Sequence, residues 1–386
     1  MKAAVQLLKE ILAIPSVNGR DDEGKVAEYL CQVFEEAGIP ASVWRIDETH
    51  ANVFAVLEGE DESSPILWNG HLDTVPYGSL NEWKTDPSVP VEEGGFLYGR
   101  GASDMKSGLA AMVYTLCAFH RSVKKPSRTI CFLGSCDEEK GGLGAETALK
   151  EVPFRNRIFS EMLIGEPTGC RLGVAQKGCL WLEAAVSGQT SHGAYPEEGV
   201  NAIEYAAKLA GDLKTYVEGF SHSVLGHSTA QITKLSGGVA PNMTPDDCTM
   251  LMDIRMVPGL TEAMVLEQAE ALVREYRAAG AKALGVSFSV KNRRRAIEIS
   301  PEHPMAQSVS RCILDHGREA GLVGINYFTD ASILARDTLE TAVLLFGPGE
   351  PGMAHKPNEC VKIENYLAAI EILTELLEKE TGRKEA

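Results

Sequence analysis

Residues 180–188, Leu-Trp-Leu-Glu-Ala-Ala-Val-Ser-Gly, form the predicted strand on which the reading of the fold turns. They follow a change of rhythm near residue 176. Up to about residue 170, short β-type runs alternate with helical stretches, the pattern of an α/β sheet with helices on its faces. The strands expected there are residues 53–57, 66–69, 129–133 and 162–164, with helices at 24–37 and 108–120. From residue 180 onward a strand is followed by a helix (200–216), two strands (230–235 and 248–256), a helix (261–279) and a strand (286–291). That order, βαββαβ, suits a small ferredoxin-like α+β domain with both helices on one face of four strands. After roughly residue 292 the α/β style returns, with a helix near 304–320, a strand at 342–346 and an amphipathic helix at 362–379. The expected organisation is one α/β domain, residues 1–175 and 290–386, interrupted by an inserted α+β domain, residues 176–289.

Composition agrees with two folded domains, since 386 residues exceed one ordinary hydrophobic core. A formal charge of −17 excludes a nucleic-acid partner, because phosphate binding needs a basic surface. The first residues, MKAAVQLLKEILAIPSVNG, carry Val5, Leu8, Ile11 and Leu12 at helical spacing, broken by Lys9 and Glu10. They read as an amphipathic helix, not as a secretory leader. No apolar run approaches the roughly 18 residues of a membrane span. The nine cysteines are scattered without a CxxC pair, which points to free thiols in a reducing cytoplasm and excludes a cysteine zinc cluster.

Each expected strand of the α/β part runs into a polar or glycine-containing loop, where open α/β sheets gather their chemistry. In NGHLDT (69–74), His71 and Asp73 are two apart on an extended chain and point to one side. Asp73 can thus hold one ring nitrogen and leave the other for a metal, although a strand-end histidine is commonly just a satisfied polar group. In YGRGASDMKSG (98–108), glycines permit a close backbone approach and Asp104 stands at a helix entrance, where local evidence favours an N-cap. In CDEEKGG (136–142), three adjacent acids read either as a solvated turn or as a site compensated by a cation. With a metal present, one carboxylate coordinates and its neighbour takes a proton from water. Pro167 restricts Glu166 to an extended conformation. His355 sits in a glycine-rich loop. Two His, one Asp and two Glu form a mixed N/O donor set suited to zinc, cobalt or manganese.

These stretches resemble the di-zinc deacylases and peptidases that include acetylornithine deacetylase, succinyl-diaminopimelate desuccinylase, aminoacylase and glutamate carboxypeptidase. The resemblance rests on NGHLDTVP, LYGRGASDMKSG, DEEKGG, GEPT, SGQTSHGAYPEEGVNAI and AHKPNE, in that order along most of the chain. It implies a zinc-peptidase-like catalytic domain with helices on a mixed sheet, and an insert that dimerises and closes over the site. By this resemblance His71 and Glu166 hold one zinc, Glu139 and His355 the other, and Asp104 bridges them. Asp73 supports His71, and Glu138 is the general base. A cis peptide is implied at Asp104–Met105. His192 is implied to reach the partner subunit's site as an oxyanion donor, and Asn242 and Arg255 to bind the substrate carboxylate. A surface ion pair is the alternative for Arg255. Lys140 stands where relatives often carry glycine, and it either adds positive charge near the site or points to solvent.

The expected activity is hydrolysis of an N-acyl-amino acid by a cytoplasmic homodimer with two Zn2+ per chain, Co2+ or Mn2+ being substitutes. A dipeptidase or carboxypeptidase of the same family would use the same residues on a peptide bond. An inactive binding protein on this fold would have no chemical need for Glu138 or His192.

Overall fold

Four apolar runs form the centre of a nine-stranded mixed sheet. The structure, a computed structural model, describes residues 1–122, 125–335 and 341–381. Strands Arg128–Ser135, Asp61–His71, Glu161–Ile164 and Ala342–Leu345 lie side by side and parallel. Their near-continuous apolar sequences suit a parallel sheet, which is buried on both faces. Beyond Arg128–Ser135 the sheet continues antiparallel through Ala51–Leu57 and Ala41–Arg45. Beyond Ala342–Leu345 it continues through Leu172–Gln176 and Ile297–Glu298, with Leu322–Ile325 paired to Leu172–Gln176.

Register brings the carboxyl ends of the four central strands to one edge. His71 lies opposite Ser135, Asn69 opposite Ile164, and Ile164 opposite Leu345. The loops leaving these strands therefore emerge together. They carry His71 and Asp73, the acidic triplet 137–139, Glu166 and His355.

The chain divides into two compact units: Met1–Val174 with Glu298–Val323 and Thr329–Ala386, and Ala175–Ile297 with Gly324–Phe328. In the first, helix Lys106–Arg121 is buried along most of its length and packs against helices Lys2–Leu12 and Ile363–Thr381. The second holds a four-stranded antiparallel sheet in the order Thr229–Gly237, Asp247–Met256, Gly178–Ser187, Gly285–Arg294. Leu180, Leu182, Ala184 and Val186 alternate along Gly178–Ser187 and share one core with Ala206, Leu209 and Leu213 of helix Ala202–Glu218. Val265, Ala269 and Leu272 of helix Glu262–Ala278 complete that core. One face of the sheet is thereby covered. Strand Thr229–Gly237, at the edge, is exposed along nearly its whole length.

Two local expectations change. The helix expected to reach residue 320 stops at Asp315, because Gly317 takes a left-handed φ of 68° that ends the helical path. The short strands Ala41–Arg45, Leu172–Gln176 and Leu322–Ile325 were not foreseen; the first, Ala-Ser-Val-Trp-Arg, has no apolar run to announce it. Among the described residues no helix is long and apolar enough to cross a membrane.

Gly108, within helix Lys106–Arg121, ties this architecture to the site. A Cβ there would stand 1.8 Å from the carbonyl oxygen of Gly165, the residue before Glu166. Gly108→Ala is expected to cost about 1–3 kcal/mol through overpacking, read as a lower urea midpoint with an unchanged m-value. An unchanged midpoint would show that the helix and strand end can separate freely.

Candidate metal centre

His71 ends the strand Asp61–His71, and its ring is fixed by the chain immediately after it. Nδ1 lies 3.0 Å from the main-chain oxygen of Asp73 and 3.6 Å from its carboxylate. Nε2 points the other way, 3.3 Å from Oδ1 of Asp104. The Asp73 carboxylate holds the acidic turn instead of binding the ring closely. It accepts the amide N–H groups of Glu138 (3.2 Å) and Glu139 (3.1 Å) and the side-chain amide of Asn18 (3.2 Å). One aspartate thus links the histidine loop to the acidic loop.

Asp104 is not the N-cap that local reading favoured. Met105 occupies that position without a side-chain cap, and the Asp104–Met105 peptide is cis. The Asp104 carboxylate instead stands between two histidines, with Oδ1 3.3 Å from His71 Nε2 and Oδ2 3.5 Å from His355 Nε2. Glu139 approaches His355 Nε2 at 2.9 and 3.2 Å. Two donor groups result, His71–Asp104–Glu166 and Asp104–Glu139–His355, each with ligand atoms within 4.8 Å of one another. Asp104 belongs to both.

The electrostatics are those of a site short of positive charge. Burial pushes Glu138 and Glu166 well above the usual carboxylate range; His71 opposes this, while neighbouring acids reinforce it. Glu139 is raised by burial as well, against the pull of His355. For His71 burial resists charging, yet the Asp104 and Asp73 carboxylates outweigh it and hold the imidazole well above its ordinary value. Oε2 of Glu166 is buried without a hydrogen-bond partner. An orphaned carboxylate oxygen, crowded acids and two outward imidazole nitrogens, with no thiolate among them, fit divalent cations of the zinc type.

The other expected site residues lie in the second unit. His192 is exposed, and its Nδ1 accepts the N–H of Ala194 at 3.1 Å. That bond places the ring proton on Nε2 as a free donor. Asn242 is adjacent in space, its main-chain oxygen accepting from the N–H of Gly193 at 2.8 Å. Arg255 is held by Asp253 through Nε at 2.8 Å and Nη2 at 3.0 Å. Both Arg255 and Arg294 place their guanidinium carbons 5.7 Å from the Phe328 ring centroid. Lys140 is exposed. Sequence reasoning missed Arg294, which lay in an unremarkable basic run, and also Asn18 and Glu23. In SVNGRDDEG these two look like turn residues, and nothing local announces the burial of Glu23 or the hydrogen bonds of both to residues far along the chain.

This fold and donor set are those of a metal-dependent hydrolase. The chain belongs to peptidase family M20/M25/M40, whose model matches residues 67–379. It is an enzyme that hydrolyses amide bonds, in a family that serves amino-acid metabolism. A protein named probable succinyl-diaminopimelate desuccinylase from Staphylococcus aureus strain N315 is 27% identical over 97% of this chain and 96% of its own. An acetylornithine deacetylase from Proteus mirabilis is 28% identical, with 97% and 96% covered. Among solved structures, an M20 family metallo-carboxypeptidase from Sulfolobus solfataricus aligns with a TM-score of 0.77 at 18% identity, covering 99% of this chain and all of that one. An aminopeptidase from Bacillus cereus aligns with a TM-score of 0.75 at 20% identity, covering 98% of each.

Glu23 gives the outer part of the site a pH dependence. It is fully buried, accepts from Asn18 at 3.1 Å and from the Asp137 amide at 2.8 Å, and is pushed up to about 9 by burial and then by Asp73. A carboxyl raised on folding is protonated in both states at low pH. As the pH climbs between its unfolded and folded values, the folded state binds the extra proton and stability is lost. In metal-free protein, Glu23→Gln should therefore lose less stability than the parent when the pH is raised from 5 to 8, by chemical denaturation. Parallel pH profiles would refute this.

Proposed function

We propose that the chain is a two-zinc deacylase that removes an acyl group from the nitrogen of an amino acid. The observation that carries this reading is the Asp104 carboxylate, which offers one oxygen to each of two histidines. His71 and Glu166 would hold one zinc, Glu139 and His355 the other, with Asp104 shared; Co2+ or Mn2+ would suit the same donors. Bound there, the cations supply Lewis-acid polarisation of the scissile carbonyl and acidify water.

The chain's own residues do the rest. Glu138 stands on the turn held by Asp73, and burial raises its proton affinity, the property required of a general base. It takes a proton from the attacking water and delivers it to the departing amine nitrogen. His192, with its proton on Nε2, donates to the developing oxyanion. Such a donor is typically worth about 2.7–4 kcal/mol in the transition state. Arg255 and Arg294 beside Phe328, with Asn242, supply positive charge and donors for the carboxylate of the amino acid. Relatives whose names state a desuccinylase and a deacetylase match over nearly their whole length, which favours acyl-amino acids over peptides.

Dimerisation through the inserted unit completes the proposal. Strand Thr229–Gly237 presents an open edge, with Ile232 and Leu235 exposed to 40% and 45%. An exposed apolar edge strand is an aggregation hazard unless a partner covers it. The free cysteines, eight of nine buried, suit a reducing cytoplasm.

Zinc-loaded protein is expected to release amine from N-acetylornithine or N-succinyl-diaminopimelate, and Glu138→Gln to lower kcat about 10^2–10^4-fold while keeping both metals. Release from a simple dipeptide alone would overturn the deacylase reading in favour of a peptidase. For the assembly, Leu235→Lys is expected to convert a dimer to a monomer by sedimentation and to reduce activity with it. A fully active monomer would remove the role given to His192.

A further inference from the structure

Arg100 and Glu359 form a buried ion pair beside the loop that carries Asp104. Their side chains are 3% and 1% exposed, and Arg100 Nη1 donates to Glu359 Oε2 at 2.7 Å. The Glu359 carboxylate also accepts three amides of one loop: Gly101 N–H at 3.0 Å, Ser103 N–H at 2.9 Å and Asp104 N–H at 2.9 Å. Its two oxygens thus hold four donors, all from residues 100–104, the loop that ends in Asp104. Arg100 reaches two further loops. Nη1 donates to the Lys356 oxygen at 3.3 Å, beside His355, and Nη2 to the Pro76 oxygen at 3.1 Å, downstream of His71 and Asp73. Its guanidinium carbon lies 5.0 Å from the Trp83 ring centroid, so an aromatic face backs the planar fork.

We propose that the Arg100–Glu359 pair is a positioning clamp that sets the spacing of the two donor groups by fixing the loops of His71, Asp104 and His355 to one another. The inference rests on the two-metal reading above. Asp104 must serve both groups at once, so its carboxylate has no slack. A shift of its backbone toward one histidine is a shift away from the other. Three amides donated to one buried carboxylate stop that motion, and the arginine fork passes the constraint on to the loops on either side. Lysine could supply the charge at position 100, but its single nitrogen cannot span the planar fork from which Nη1 and Nη2 reach separate loops.

The clamp also neutralises a buried acid, and this simpler role makes a different forecast. Breaking one side of a buried pair strands a charge and destabilises, whereas removing both charges often restores stability. The test therefore compares Arg100→Met, Glu359→Gln and the double variant. Zn2+ affinity is read on folded protein by competition with a chromophoric chelator, Co2+ site geometry by visible absorption, and stability by the Tm of the metal-free forms. The clamp predicts that the double variant recovers most of the Tm lost by Arg100→Met yet binds the second metal equivalent about 10–100-fold more weakly, with an altered Co2+ spectrum. Return of the second equivalent to parental affinity in the double variant would overturn the clamp and leave only charge compensation. Parental protein that binds fewer than two metals would instead sink the two-metal reading, and the clamp with it.

Discussion

Negative charge concentrated at one edge of a sheet is the constraint around which the first unit is organised. Parallel strands deliver their loops to the same edge, and here those loops carry Asp73, Glu138, Glu139 and Glu166; Asp104 joins them, and His71, His355 and the buried Lys106 are counterweights. Water cannot relieve the crowding, since most of these groups are buried. What remains is to raise proton affinity, to recruit amide hydrogens, or to take up cations, and the structure shows the first two in place. Asp73 is shifted in the opposite direction to Glu138, Glu139 and Glu166. Burial opposes it, but His71 and the two amides of the acidic turn hold it below the usual range.

The supporting polar network is as ordered as the donor groups themselves. Asn18 offers one amide to Glu23, Asp73 and Asp137 at 2.9–3.2 Å, joining the N-terminal segment to the acidic turn. On another side, Ser135 donates to Asp330 at 2.5 Å and accepts from Asn69 at 2.8 Å, securing the ends of two central strands. Buried polar networks of this kind are favourable only when nearly every member is satisfied. Oε2 of Glu166, like Arg100 Nε and Ser107 Oγ, is buried without a hydrogen-bond partner.

The α/β sheet and its strand-end loops were legible because apolar runs and polar loops alternate so regularly along the first 170 residues, whereas the mixed strand directions followed only from the family resemblance. The donor residues could be named one by one, yet each had a bland local meaning, and only their order along the chain gave them a joint one. Asp104 shows the limit most clearly. Its neighbours favour a cap, whereas its environment is made by His71 and His355, which no local window contains. Arg100 and Glu359 were beyond reach for the same reason, being 259 residues apart. Asn18 and Glu23 depend on Asp73 and Asp137, on loops that follow different strands. The helix overrun past Asp315 came from reading composition where the sign of one glycine's φ decided the outcome.

The Glu359 carboxylate also bears on how the molecule comes into being. Its four donors lie near residue 100, so the Asp104 loop has no acceptor for its amides until a segment more than 250 residues downstream has been made and has docked. Contacts of such long sequence separation form late and slowly, because loop closure must precede any reward. The rigidity of the Asp104 loop is therefore a property of the folded whole, conferred by a residue that no N-terminal fragment of the domain contains.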